Sequence, residues 1–152
     1  MNARLKKILI TIGIITIGLF CFYQFARMFG AGSYPYAEYY ELNYPEDTVL
    51  KAIEKIKEEN PNIAGGSSYE DTDTTDYWHH LYFSLDHYII LTWTRPSSPT
   101  TTSFAFVSRL GENSTWKDIN DDFGYFENRR IKKSFNENIF KKLQAKLERK
   151  AD

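Results

Sequence analysis

An acidic run in the middle of the chain has the residue types that bind a hard metal ion. It spans residues 70–76 (EDTDTTD), and closely spaced carboxylates suit calcium. The spacing fits the calcium-loop template poorly, because counting from Asp71 puts Asp76 at the glycine position and Tyr82 at the twelfth position. A solvated loop is the better interpretation. The sequence therefore predicts no metal and no cofactor, and it keeps Asp71, Asp73 and Asp76 only as fallback ligands.

Two adjacent histidines, His79 and His80, follow the acidic run. Neighbouring side chains of a strand point to opposite faces, so the pair does not readily share one ion, and His79 joins the aspartates as a fallback ligand. A metal-assisted hydrolase using Asp76, His79 or His80 is the least favoured functional hypothesis. The chain contains no G-x-S-x-G nucleophile elbow and no phosphate-binding loop. The sequence therefore predicts that the protein is not an enzyme and has no catalytic residues.

Aromatic residues are the other feature with a clear chemical use. The chain has 3 Trp, 11 Tyr and 11 Phe, more than the core of one small domain usually needs. Exposed aromatic side chains anchor protein partners, and Trp and Tyr are enriched where binding energy is concentrated. Trp78, Trp93 and Trp116 are therefore the predicted partner-binding residues. Packing inside the domain is the alternative use of the same side chains.

An apolar block near the N-terminus predicts where the protein resides. Residues 8–23 (ILITIGIITIGLFCFY) carry no charge, and only Gln24 and Arg27 are strongly polar in the rest of the block. At about 1.5 Å per residue, about 20 helical residues cross the hydrocarbon core of a bilayer. We expect a signal-anchor transmembrane helix over residues 8–29, with the lipid bilayer as its partner. Cleavage after Gly32, which would give a secreted form, is the alternative.

The flanking charges orient this predicted helix. Arg4, Lys6 and Lys7 precede it, whereas residues 30–48 contain no Lys or Arg. Because positive residues stay on the cytoplasmic side, residues 1–7 are predicted to be cytoplasmic and the rest of the chain to face the periplasmic side of a cell envelope. Nucleic acid is then not an expected partner, although basic residues collect toward the C-terminus. These residues are interpreted as a solvated helix face, and contact with anionic lipid head groups is the alternative.

A tyrosine-rich juxtamembrane stalk, residues 30–44, is predicted to follow the membrane helix and to carry a short edge strand around residues 37–42. A helix then begins at Pro45, because proline suits the first helical turn. It ends at Asn60, because the residue before a proline avoids the helical conformation.

Aromatic and β-branched residues next predict a β-hairpin. Its strands cover residues 77–85 and 88–94, with Asp86 and His87 as a two-residue turn. In this register the two faces carry different residues: Leu81, Phe83, Leu85, Tyr88, Ile90 and Thr92 on one, and His80, Tyr82, Leu91 and Trp93 on the other. Both faces are partly apolar, so we expect helices or a partner to cover both.

The remaining segments complete the predicted domain. Residues 95–101 are predicted as a proline-punctuated loop and residues 102–110 as the third strand. Residues 111–122 are predicted as a loop carrying Trp116. The last helix is predicted to begin near Ser134, the first residue of a capping box, and the pattern leaves residues 126–133 open between a strand, a loop and an earlier helical turn.

The sequence thus predicts an α+β fold. An N-terminal transmembrane helix is followed, over residues 45–152, by a helix, a three- or four-stranded antiparallel sheet and a helix. The first functional hypothesis is a single-pass, membrane-anchored, non-enzymatic binding or accessory module for another membrane or periplasmic protein. The alternative is an immunity or inhibitor protein whose acidic loop, residues 70–76, mimics a substrate of a basic toxin.

Overall fold

The computed structural model describes residues 3–29, 34–65, 78–111 and 113–149 and, within the first helix, the side chains of residues 4, 5, 7 and 11–22. The chain divides into two units, residues 1–35 and 36–152. The first unit holds one long helix, and the second holds the sheet and the other helices.

The helix of the first unit, α1 (Ala3–Phe29), is 27 residues long. Its large apolar side chains, where described, are at least half exposed: Leu5, Ile12, Ile14, Ile15, Ile17, Leu19, Phe20 and Phe22. No helical stretch of described residues is long and apolar enough to cross a membrane. The transmembrane span over residues 8–29 therefore stays a prediction.

The second unit is built on an antiparallel sheet of five strands, which confirms the α+β class and adds a strand to those predicted. The strands are β1 (Glu38–Leu42), β2 (His79–Leu85), β3 (Tyr88–Ser98), β4 (Thr101–Leu110) and β5 (Trp116–Asp118). They lie in the order β1-β4-β3-β2, and β5 also pairs with β4. β1 and β5 bind consecutive parts of the same edge of β4, and β1 confirms the edge strand predicted within the stalk.

The helices of the second unit pack on one side of this sheet. α2 (Glu46–Glu59) has the predicted bounds and leads into a short 3₁₀ helix, Pro61–Ile63. α3 (Tyr125–Phe135), a π-helical turn (Asn136–Phe140) and α4 (Lys141–Glu148) follow one another without a break, and we call them together the C-terminal run. These helices and the sheet share one core, whose largest members are Phe83, Ile90, Phe104 and Phe106 of the sheet, Ile53 and Ile56 of α2, and Phe135, Ile139, Leu143 and Leu147 of the C-terminal run.

The π-helical turn keeps the C-terminal run on the core. Buried residues of the C-terminal run recur at every fourth position from Ile131 to Leu147. In a regular α-helix each four-residue step rotates such a stripe by about 40°, so a long stripe would turn away from the sheet. One turn of wider i→i+5 bonding takes up this rotation. Phe135, immediately before this turn, stacks on Phe106 with ring centroids 4.4 Å apart.

The β2–β3 hairpin has the predicted register. Its cross-strand pairs are those expected, for example His80 with Trp93. The turn residues Asp86 and His87 have φ angles of 50° and 68°. Positive φ at both central residues is the type I′ geometry, whose twist matches that of the flanking strands. The turn is also fastened to the C-terminal run, because Ser134 Oγ donates a hydrogen bond to the Asp86 carboxylate at 2.8 Å.

The prediction that the last helix begins near Ser134 is wrong, and of the alternatives left open for residues 126–133 the structure has the helical one. α3 already starts at Tyr125, after Gly124 in an extended conformation, so Ser134 lies inside the helix. Its hydroxyl binds Asp86 instead of capping a helix end. The local capping pattern is overridden because Ile131 and Phe135 extend the buried stripe through this segment.

Two predicted loops contain strand residues. The loop over residues 95–101 is a tight hairpin connection, closed by a 2.6 Å hydrogen bond between the hydroxyls of Ser98 and Thr101. Pro96 is tolerated in β3 because it lies next to a register shift, where the ladder is interrupted. Trp116, assigned to a loop, begins β5. A strand of three residues is too short to show an alternating pattern.

Candidate functional site: the tryptophan face of the sheet

The two faces of the sheet differ in composition. Phe83, Phe104 and Phe106 belong to the core shared with the helices. Side chains alternate along each strand, so their neighbours point to the opposite side. We call this second side the tryptophan face; it carries Tyr39, Glu41, His80, Tyr82, Leu91, Trp93, Arg95, Ser103 and Ala105.

Trp93 lies at the centre of the tryptophan face. It pairs with His80 of β2 and with Ala105 of β4, and Ala105 pairs in turn with Tyr39 of β1. Trp93 and Ala105 are both fully buried, at 0% exposure. The small alanine leaves room for rings on either side to meet. Tyr39 contacts Trp93 edge-on, with centroids 5.5 Å apart and planes at 70°.

Trp78 and Arg95 complete this group. The ring of Trp78, just before β2, lies 4.2 Å from that of Trp93, with the planes at 60°. The guanidinium of Arg95 lies 4.5 Å from the centre of the Trp78 ring and 5.8 Å from that of Trp93. The negative face of an indole attracts a cation, so the two rings hold Arg95 in place. We call Tyr39, Trp78, Trp93 and Arg95 the tryptophan cluster.

Tyr39 is the accessible edge of the cluster, with 48% of its surface exposed. Loss of hydration raises the pKa of its phenol above the ordinary 10.0, and the charge of Arg95 acts in the opposite direction. Tyr39 therefore remains a neutral phenol at physiological pH. In that form the hydroxyl can both donate and accept hydrogen bonds.

Polar side chains border the cluster. Arg95 pairs with Ser103, and Ser103 pairs with Glu41 of β1. The hydroxyls of Ser103 and Ser97 are hydrogen bonded at 2.6 Å. An aromatic centre with an arginine and a polar border has the composition of a protein-binding surface.

The structure brings together two of the three predicted partner-binding residues. Trp78 and Trp93 are in contact within the cluster. Trp116 is 38% exposed, and its ring lies 6.2 Å from that of Tyr82. Since Tyr82 pairs with Leu91 on the tryptophan face, Trp116 extends this aromatic surface toward β5.

Tyr39 and Arg95 were not identified from the sequence. The sequence pattern predicts a loop at Arg95, although Arg95 lies two residues after Trp93 and shares its face in the longer β3 of the structure. Tyr39 was assigned to the stalk. Its place beside Trp93 depends on the pairing of β1 with β4, which are far apart in sequence, so no local pattern signals it.

The candidate metal ligands do not assemble where the structure describes them. Asp71, Asp73 and Asp76 lie outside the described residues, as does the rest of the acidic loop. His79 Nδ1 lies 2.9 Å from Glu46 Oε1, a contact that ties the start of β2 to the first turn of α2. Within the described ranges, no group of three or more His, Cys, Asp or Glu side chains could hold a metal ion.

A cavity of about 360 Å³ lies on the helix side, between the β2–β3 hairpin and α3. Two cations line it, Arg109 and Arg130. The guanidinium of Arg109 lies 4.2 Å from the centre of the Tyr88 ring and 4.7 Å from that of Phe123. Arg109 also forms an ion pair with Glu127 at 3.2 Å. Because the charge of Arg109 is balanced inside the domain, this arrangement supports a structural role.

Comparisons with known proteins add no relative. No protein-family model, curated protein or solved structure matches the chain. The functional argument therefore rests on the residues described above.

Proposed function

We propose that the protein is a single-pass, membrane-anchored, non-enzymatic module whose tryptophan face binds another membrane or extracytoplasmic protein. The tryptophan cluster is the observation that carries this proposal. It combines Trp, Tyr and Arg, the three residue types most enriched among the residues that dominate binding energy at interfaces.

The accessibility of this face supports a binding role. Tyr39 and Trp116 retain 48% and 38% exposure, and Tyr82 and Leu91 between them are only partly buried. Partly exposed aromatic and apolar side chains gathered on one face are costly to leave in water. A partner that covered it would gain buried apolar area, while Arg95 and the bordering serines would fix its orientation.

The sequence of α1 supports the anchor. Its 27 residues correspond to about 40 Å of helix, against about 30 Å of hydrocarbon in a bilayer. A helix with apolar side chains on all sides needs apolar surroundings. Arg4, Lys6 and Lys7 at its start favour a cytoplasmic N-terminus.

Site-specific photo-crosslinking tests the binding surface. A benzoyl-phenylalanine placed at position 39 of the full-length protein in its native membrane should yield one recurrent, stoichiometric crosslinked protein. The same probe at position 126 is the control, because Phe126 of α3 is 84% exposed but lies outside the tryptophan face. Equal crosslinking at both positions would count against a specific surface.

A matched pair of substitutions tests the energetics of the same contact. Trp78→Ala should reduce capture of that crosslinked protein about thirtyfold, a loss of about 2 kcal/mol typical of a dominant interface residue. Phe126→Ala should leave capture unchanged. If both variants fold and capture the protein equally well, the tryptophan cluster is not the binding surface.

Membrane extraction tests the anchor separately. The full-length protein should stay in the membrane pellet after washing at alkaline pH, and its intact mass should include residues 1–32. A chain that begins near Ser33 and is released by the wash would contradict the anchor, while leaving the binding proposal to the crosslinking result.

A further inference from the structure

A groove between α2 and α4 collects positive charge. The two helices run in opposite directions, since Lys142 Nζ donates a hydrogen bond to Asn60 Oδ1 at 2.7 Å at one end and Arg149 lies near Ala52 at the other. A cavity of about 210 Å³ is lined by Lys51, Ala52, Lys55, Lys146 and Arg149. An adjoining cavity of about 240 Å³ shares Lys146 and Arg149 with it. We call the two cavities together the basic groove.

The charge of the basic groove is unbalanced. Its charged lining residues are five cations, Lys51, Lys55, Lys142, Lys146 and Arg149, and one carboxylate, Glu59. The chain as a whole has a formal net charge of −1, so the positive charge of the groove is local and does not come from a basic protein. Glu54, on the same helix as Lys51 and Lys55, lines a different cavity next to β2.

The cations of the groove fall into two groups. Lys146 forms an ion pair with Glu59, and Lys142 is held by Asn60. In contrast, Lys51, Lys55 and Arg149 form no ion pair with any residue that the structure describes. Bringing like charges together costs free energy, which a bound anion would recover.

The pKa of Glu59 reflects the positive charge of the basic groove. A hydrogen bond from Lys146 lowers the pKa of the Glu59 carboxyl below its ordinary value, although desolvation opposes the shift. The charges of Lys146, Arg149 and Lys55 add to the lowering. An anion entering the groove would meet the same positive potential.

We propose that the basic groove binds the phosphate group of a phosphate ester. Lysine ammonium groups act as point charges toward phosphate, and the arginine fork can bind two of its oxygens at once. The cavity of about 210 Å³ is below the size of sites for drug-sized ligands and suits a single charged head group. The phosphate can belong to a soluble ester or to an anionic lipid. This groove is a different surface from the tryptophan face, so the inference stands apart from the proposed function.

Nuclear magnetic resonance of the full-length protein in phosphatidylcholine nanodiscs tests the site. Glycerol phosphate is titrated as the soluble probe, and phosphatidylglycerol is added to the discs as the lipid probe. We expect saturable shifts of the backbone amides of residues 51–55 and 146–149, weakening as salt is added. Saturation with glycerol phosphate assigns a soluble ester. Shifts with phosphatidylglycerol alone assign a lipid head group.

Paired charge variants provide the control. Lys55→Gln with Arg149→Gln removes two exposed cations of the groove, and Arg129→Gln with Arg130→Gln removes two exposed cations of α3. The groove variant should bind the effective probe at least about tenfold more weakly, and the α3 variant should bind as the unmodified protein does. Equal weakening in both variants, or no saturable shift with either probe up to about 10 mM, would overturn the proposal.

Discussion

Tyr40 and Tyr39 are neighbours on β1 and show how differently the two faces of the sheet are built. Tyr40 lies on the helix side, with its ring 4.1 Å from that of Phe140 and 6.0 Å from that of Phe135. Burial raises the pKa of Tyr40 to about 12, with a further contribution from the negative charge of Glu38. Tyr40 is therefore a partly buried side chain packed against the hydrophobic core.

Tyr39 points to the opposite side and meets a different environment. It contacts the edge of Trp93, remains 48% exposed and lies near enough to Arg95 for the cation to oppose the rise of its pKa. Phenylalanine dominates the helix side, whereas tryptophan, tyrosine and arginine dominate the other. Phenylalanine offers only apolar area, while tryptophan and tyrosine also carry a polar group that can contact a partner. The difference separates a face built for folding from one suited to recognition.

The largest expected effect lies on the helix side. Phe104 is 0% exposed and stacks on Phe135 and Phe140, with ring centroids 6.1 and 6.3 Å away. Phe104→Ala should lower the free energy of unfolding by about 3–5 kcal/mol, measured by urea denaturation of the full-length protein in detergent. Phe126→Ala, at an 84% exposed position, should change it by less than about 0.5 kcal/mol. Comparable losses in both variants would contradict this assignment of the core.

A smaller loss is expected on the tryptophan face. Trp78→Ala removes an edge contact with Trp93 and the cation–π contact with Arg95, together about 1–2 kcal/mol of unfolding free energy. The same denaturation measurement applies. If Trp78→Ala destabilises the protein as much as Phe104→Ala, the cluster belongs to the folding core and the contrast between the faces fails.

The turn of the β2–β3 hairpin determines which residues reach each face of the sheet. A substitution in this turn should raise the free energy of unfolding. His87 has φ of 68°, a conformation that glycine adopts without a Cβ penalty. His87→Gly should raise the free energy of unfolding by about 0.5 kcal/mol after the greater flexibility of glycine in the unfolded chain is counted. His87→Ala keeps the penalty and serves as the control. A glycine variant no more stable than the alanine variant would contradict the type I′ assignment.

The smallest effect is expected from the two tyrosines, whose ionisation should change the free energy of unfolding only at alkaline pH. The folded state favours the neutral phenol of Tyr40, so its contribution is complete below pH 10 and is lost as the pH rises toward 12. Tyr40→Phe should therefore flatten the decline of unfolding free energy between pH 10 and 12. Tyr39→Phe should flatten it less, because Arg95 opposes the shift. An identical decline in the unmodified protein and Tyr40→Phe would show that Tyr40 does not pack against the core as described.

Local patterns predicted the elements whose register is set within a few residues. The β2–β3 hairpin follows from alternation and a two-residue turn, and α2 follows from Pro45, Asn60 and an apolar stripe. The start of α3 was missed because Ser134 offers a complete local capping signal, whereas its hydroxyl is used by Asp86 on a distant hairpin. A local signal cannot reveal a competing partner that only the fold supplies.

The residues of the candidate site also divide into those that local patterns predict and those that only the fold brings together. Trp78 and Trp93 were identified from residue type, and their pairing lies within reach of the predicted hairpin. Arg95 was missed because Pro96 suggested a loop, although the adjacent register shift accommodates the proline. The basic groove was predicted only in part: the sequence marks the basic C-terminal residues, but Lys51 and Lys55 come from α2, far away in sequence, and only packing brings them to Arg149.

The sequence by itself determined the α+β class, the hairpin register and the residue types available for recognition, because side-chain alternation and turn chemistry act over short distances. The tertiary structure decided which of those residues meet. Pairing of β1 with β4 places Tyr39 beside Trp93, and packing of α2 against α4 places Lys51 and Lys55 beside Arg149. Such contacts between distant segments depend on the burial of a shared core, which no single segment specifies alone.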